Sequence, residues 1–102
     1  MNPTAFVSVI EVGLHFGDVH DLKGKRKLVS SLKAQLRQRY GVAVAEVDGH
    51  DKWQRATLLC ALVGDGEVRG LADEVERFIE SRHPEGSSFQ RKLLSLADLD
   101  LL

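Results

Sequence analysis

The chain has 102 residues, a length that fits one domain with one core and leaves no room for a second. Its 14 Lys and Arg against 15 Asp and Glu give a formal net charge of -1, which excludes a polyelectrolyte of the architectural nucleic-acid-binding kind. One cysteine, Cys60, excludes an internal disulfide and argues against secretion. The N-terminus lacks the basic-then-apolar build of a signal peptide, and no apolar run is long enough to span a bilayer. A soluble cytoplasmic protein, with no role for a membrane, is therefore expected.

Charge is nevertheless segregated along the chain. Half of all Lys and Arg fall in residues 23–39, and no acid occurs in residues 22–45. Residues 6–16 come first, rich in β-branched and aromatic side chains. Phe6, Ile10, Val12, Leu14 and Phe16 share one face at a period of two, with Val7, Val9, Glu11 and His15 on the other. This predicts a central strand. Gly17 and Asp18 break it, and Asp21 is placed to cap a following helix. In that helix Leu28, Val29, Leu32 and Leu36 predict the buried stripe, while Arg26, Lys33 and Arg37 line a neighbouring face. Gly41 suits a left-handed cap at its end. Residues 42–48 and 56–63 read as a hairpin around a polar link. Val68, Leu71, Ala72, Val75, Phe78 and Ile79 mark a second amphipathic helix, with Asp73 and Arg77 at the favourable spacing of four. Pro84 stops it, and residues 87–94 supply a last strand. Residues 95–102 are left as a short helical turn or a tail.

The order strand, helix, strand, strand, helix, strand predicts an α+β, ferredoxin-like βαββαβ domain over residues 1–102: a four-stranded antiparallel sheet with two helices on one face. That topology gathers the link after the first strand, the hairpin and the link before the last strand at one edge. His15, His20, His50 and His83 fall there, with Glu46, Asp48, Asp51, Trp53, Gln54 and Arg55. Loops on a rigid sheet are where binding and catalysis concentrate.

The segment from His20 to Arg26 has the form His-x-Leu-Lys-x-Lys-Arg. It is followed by Val-Ala-Glu-Val-Asp at Val44 to Asp48 and Trp-Gln-Arg-Ala at Trp53 to Ala56. In these blocks the chain resembles the small bacterial DUF503, or YlxP-like, family, from the first strand to the second helix. It departs at Gly24, where members often carry an acid, and at Gly49-His50, which replaces a commoner His-Gln-type pair. The resemblance implies a ferredoxin-like fold and no established activity. It also implies gene neighbours for an initiation factor and ribosome-binding factor A, which is an association with translation or ribosome assembly rather than a mechanism.

Lys23, Lys25, Arg26 and Lys27 crowd the start of the first helix, where the unpaired N–H groups already carry partial positive charge. Cations are mildly unfavourable there, so an anion is the expected complement. With Lys33 and Arg37 they form the candidate set for RNA phosphates; the bland alternative is a solvated surface. His20, Glu46, Asp48, His50, Trp53 and Arg55 form the supporting loop edge. Glu46 and Asp48 are expected to pair with Lys25, Arg26 or Arg55 rather than to act as catalytic carboxylates. Trp53 either stacks on a base or plugs the end of the core. No His-x-x-x-His or Cys-x-x-Cys spacing points to a metal, and no cofactor is implied. Cys60 lies mid-strand and no serine sits in a nucleophile elbow, so no catalytic residue is assigned. The phosphate loop of acylphosphatases, which share the fold, is not recognisable in residues 16–23.

The open sheet face should show Val7, Val9, Glu11, Leu59, Ala61 and Val63, without the aromatics on which RNA-recognition motifs stack bases. Such an apolar face marks an interface. Val7, Val9, Leu59, Ala61 and Val63 are the expected contacts of a homodimer, unless residues 93–102 fold over them. The sequence thus favours a non-catalytic accessory factor for ribosomal RNA or a ribosomal subunit. Its alternatives are a protein-interaction module using the open face and a small enzyme using Glu46 or Asp48 with a histidine.

Overall fold

The structure, a computed structural model, describes residues 5–83 and 86–98. Its elements run β1 (Phe6–His15), α1 (Leu22–Tyr40), β2 (Ala43–Asp48), β3 (Arg55–Gly64), α2 (Val68–Arg82) and β4 (Ser87–Ser95). The strands form one sheet in the order β2-β3-β1-β4, with every neighbouring pair antiparallel. This is the ferredoxin-like arrangement that the element order predicts, with β1 and β3 central.

Alternation along the central strands sorts their side chains. Ile10, Val12 and Leu14 of β1 and Leu58, Cys60 and Leu62 of β3 are buried under the helices. Burying each large aliphatic side chain contributes about 1.5–3 kcal/mol, so a one-residue slip in register would exchange this set for the opposite face. From α2, Val68, Ala72, Val75, Phe78 and Ile79 complete the core. The acids Asp73 and Glu76 receive Arg91 of β4 at 2.8 and 3.0 Å. Asp73 thus pairs across elements, not with Arg77 along its own helix, because Arg91 reaches it from the adjoining edge strand.

Helix α1 begins and ends as its sequence predicts. The Asp21 carboxylate accepts the Gly24 N–H at 2.7 Å, and Gly41, at φ 63, donates its N–H to the Arg37 carbonyl at 3.0 Å. Its buried stripe differs from the expectation. Lys25, Val29, Leu32 and Leu36 are buried, whereas Leu28 is 40% exposed. Spacings of four, three and four keep the first set on one face of a 3.6-residue helix, and Leu28 is rotated off it.

Among the described residues nothing covers the opposite sheet face. Val63 is 80% and Leu59 40% exposed, with Val7, Val9 and Ala61 half-buried beside them. At the chain end, β4 runs to Ser95 and a turn follows. Its Asp98 carboxylate accepts the Ser95 N–H, while the Leu96 N–H donates to the Ala5 carbonyl. Of the residues 95–102 expected as a short helical turn or a tail, Ser95 closes β4 and 96–98 form this turn, while 99–102 lie outside the described residues. Of the segment 93–102 expected to cover the open face, residues 93–95 instead pair as β4. Among the described residues no helix is long and apolar enough to cross a membrane.

Candidate functional site at the loop edge

The centre of this edge is Lys25. Its side chain is completely buried, and its ammonium donates to Glu46 Oε2 at 2.7 Å and to the Gly49 carbonyl at 2.8 Å. The carbonyls of His50 and Arg55 lie at 3.4 and 3.5 Å. A buried cation is tolerated only when oxygens replace its water, and four do so here. Strand β2 supplies the carboxylate because Glu46 follows Val44 at a period of two, which turns both toward the helices. A register shift at Val47 then carries the chain into the hairpin. There Gly49 adopts φ 82, and a Cβ on it would crowd the Arg55 carbonyl, so the turn that delivers the carbonyls requires glycine. Lys25 is therefore not a surface contact for phosphate, a correction to its place in the predicted set. The ammonium instead fastens the start of α1 to the hairpin.

The expected pairing of Glu46 with Lys25 is present. Asp48 takes no cation among the described residues; its Oδ1 accepts the N–H of Gly49 at 2.8 Å, as in a tight local turn. The Arg55 side chain is exposed and only its carbonyl joins the Lys25 cluster. Both carboxylates are thus engaged in holding the loop.

The remaining cations of α1 face solvent. Lys23, Arg26, Lys27 and Arg37 are exposed and Lys33 is half-buried. None of the five pairs with a carboxylate among the described residues. From Lys23 to Arg37 the helix rises about 21 Å. Arg37 is partly committed, since its guanidinium donates to the Val44 carbonyl at 2.9 Å.

Trp53 does not plug the core. It is 48% exposed in the loop between β2 and β3 and lines an open groove of about 400 Å³ with His15, Leu22 and Arg55. Asp51, Lys52 and Gln54 complete the lining. The sequence missed Leu22 and Lys52 as site residues. The one signal for them was the tie between α1 and the hairpin, which becomes visible only once Lys25 is placed opposite Glu46.

The four histidines form no single cluster, although His15 and His83 line one groove together. His20 and His50 are exposed in separate loops. His83 packs edge-on against Phe16, with ring centroids 5.3 Å apart. Burial, and then the charge of Arg82, lower its pKa from 6.5. It lines a second groove with Val19, Leu28 and Arg82, closed by the approach of Gly86 to β1. A Cβ on Gly86 would collide with the His15 carbonyl, whose own N–H donates to Gly86 O at 2.7 Å. No group of three or more His, Cys, Asp or Glu among the described residues is disposed to hold a metal. Cys60 is fully buried, and burial pushes its thiol up to about 11, far from the thiolate that nucleophilic chemistry requires.

Topology and edge together define a ferredoxin-like α+β domain with a cationic helix and an apolar open sheet. The sequence profile of DUF503, a protein of unknown function, matches residues 7–89. The chain belongs to the DUF503 family. Comparison with curated proteins finds no match. Among solved structures it is similar to a de novo designed protein, Foldit4, with 13% identity and a TM-score of 0.54 over 87% of this chain and 94% of that one. It is also similar to 30S ribosomal protein S6 from Thermotoga maritima, with 16% identity and a TM-score of 0.49 over 92% of each chain. Nothing functional follows from either likeness.

Proposed function

We propose that the protein is a non-catalytic, cytoplasmic RNA-binding accessory factor, with ribosomal RNA or a ribosomal subunit as its partner. The observation that carries this reading is the solvent face of α1. Lys23, Arg26, Lys27, Lys33 and Arg37 occupy a helix without a single acid, on a protein whose net charge is -1. Cations collected on one side and left without carboxylate partners are the electrostatic footprint of a phosphate-binding surface. Phosphate contacts orient the nucleic acid without reading its sequence, which suits an accessory factor. The family's association with translation genes points in the same direction.

The test is binding of the purified protein to ribosomal RNA and to ribosomal subunits, comparing the parent with Arg26→Glu/Lys27→Glu. Both side chains are exposed, so the variant is expected to keep its thermal stability and to lose binding by at least about tenfold. Equal binding by parent and variant would place the RNA contact elsewhere or nowhere.

A second reading concerns the other face. The 80% exposure of Val63 and 40% exposure of Leu59 support a homodimer formed sheet to sheet through Val7, Val9, Leu59, Ala61 and Val63. Sedimentation should then show a dimer that Leu59→Asp/Val63→Asp converts to a monomer, leaving RNA affinity on the opposite, helical side intact. A parent that sediments as a monomer at all concentrations would reject the dimer.

A further inference from the structure

We infer that the groove beside Trp53 is a stacking subsite for one unpaired base of a single-stranded RNA whose phosphates lie on α1. This deepens the proposed function and rests on it. The geometry and charge of the groove support it.

A tryptophan 48% exposed in a loop leaves a large apolar ring in water, and every base has a π-face that such a ring can cover. The loop is held in place on both sides of that ring. Before it, the Lys52 N–H donates to the Gly49 carbonyl at 2.9 Å; after it, the Gln54 carbonyl accepts the Phe16 N–H at 2.6 Å. The buried Lys25 ammonium draws in the carbonyls of Gly49, His50 and Arg55 beneath it. An indole presented from a fixed backbone loses little freedom when a ligand stacks on it.

The surroundings of the ring select the ligand class. Lys52 and Arg55 outnumber the single acid Asp51, and His15 adds a ring N–H donor. The groove also adjoins the phosphate surface directly. Leu22 lines it as the first residue of α1, and the exposed Lys23 follows. The first cation of the helix therefore follows directly on a residue that lines the groove. The volume of about 400 Å³ lies within the range of about 300–1,000 Å³ usual for small-ligand sites. A paired base, stacked inside a duplex, cannot present its face in this way, so the subsite selects single strands.

Trp53 is the sole tryptophan, so emission from the unmodified protein reports on this position alone. Titration with oligouridylate and oligoadenylate should quench it saturably. Duplex RNA and inorganic polyphosphate should bind through α1 and leave the emission unchanged. Trp53→Ala should weaken single-strand affinity by between about 5-fold and about 150-fold, with no change toward polyphosphate, and Trp53→Phe should fall between. Emission unmoved at saturating single-stranded RNA would overturn the stacking subsite while leaving the cationic helix standing. Equal quenching by polyphosphate would also overturn it, because the signal would then follow charge rather than a base. An absence of RNA binding even at low salt would remove both readings and return Trp53 to a protein contact.

Discussion

Lys25 shows how one side chain changes role between sequence and structure. Its neighbours Lys23, Arg26 and Lys27 point to solvent, while its own ammonium, completely buried, sits among one carboxylate and three carbonyl oxygens. Desolvating an ammonium costs several kcal/mol, and only near-complete ligation offsets that cost. Removing one partner from such a pair is correspondingly severe. Lys25→Met is expected to lower unfolding stability by about 3 kcal/mol, measured by urea denaturation. Glu46→Gln keeps an oxygen on the ammonium but removes its one counter-charge, and should cost a similar amount, about 3 kcal/mol. If Lys25→Met unfolded at the parent's midpoint, the cluster would contribute nothing and the hairpin would be held by its backbone alone. Charge reversal at Lys25 would report on folding, which is why the binding test uses Arg26 and Lys27.

At the scale of elements, the ends of helices and strands carry the site. Helix α2 finishes at His83, whose ring lies against Phe16 and whose pKa is lowered by burial first and by Arg82 second. Above the unfolded value of 6.5 the imidazole is neutral in both states and contributes no pH dependence. Below it the unfolded chain takes up a proton that the folded chain resists, so stability falls with falling pH. Denaturation midpoints should therefore drop as the pH falls below about 6.5, and His83→Phe should flatten that part of the profile. An unchanged slope in the variant would assign the pH dependence to other groups.

The six elements were legible because each has a single period and clear punctuation. Alternation over residues 6–15, the Asp21 cap and the Gly41 stop required no tertiary information. The site was less legible because its decisive contact joins residues 21 positions apart. Lys25 continues the series of Val29, Leu32 and Leu36, but its charge disguised a buried position, and Leu28 took its place in the predicted stripe. The inward phase of Glu46 beside Val44 was the available signal. Trp53 could not be placed at all, since a tryptophan in a polar link is equally compatible with core and surface until the loop's bonds to Gly49 and Phe16 are known.

At the scale of the whole molecule, the fold separates two surfaces that the sequence mixes. The sheet's open side presents Leu59 and Val63, while the helical side presents the cations of α1. A near-neutral protein can thus hold a locally strong positive field without the self-repulsion of a high net charge. Lys25 fastens that helix to the hairpin, so the cationic face of α1 and the Trp53 groove lie at one edge. The most direct measurement of this account is the affinity for single-stranded ribosomal RNA across a salt series. Four exposed cations acting on phosphates predict a log–log slope of about -3, made shallower by one to two in Arg26→Glu/Lys27→Glu, at about 0.7 per phosphate. A flat dependence, or the same slope in parent and variant, would contradict the claim that α1 binds phosphate.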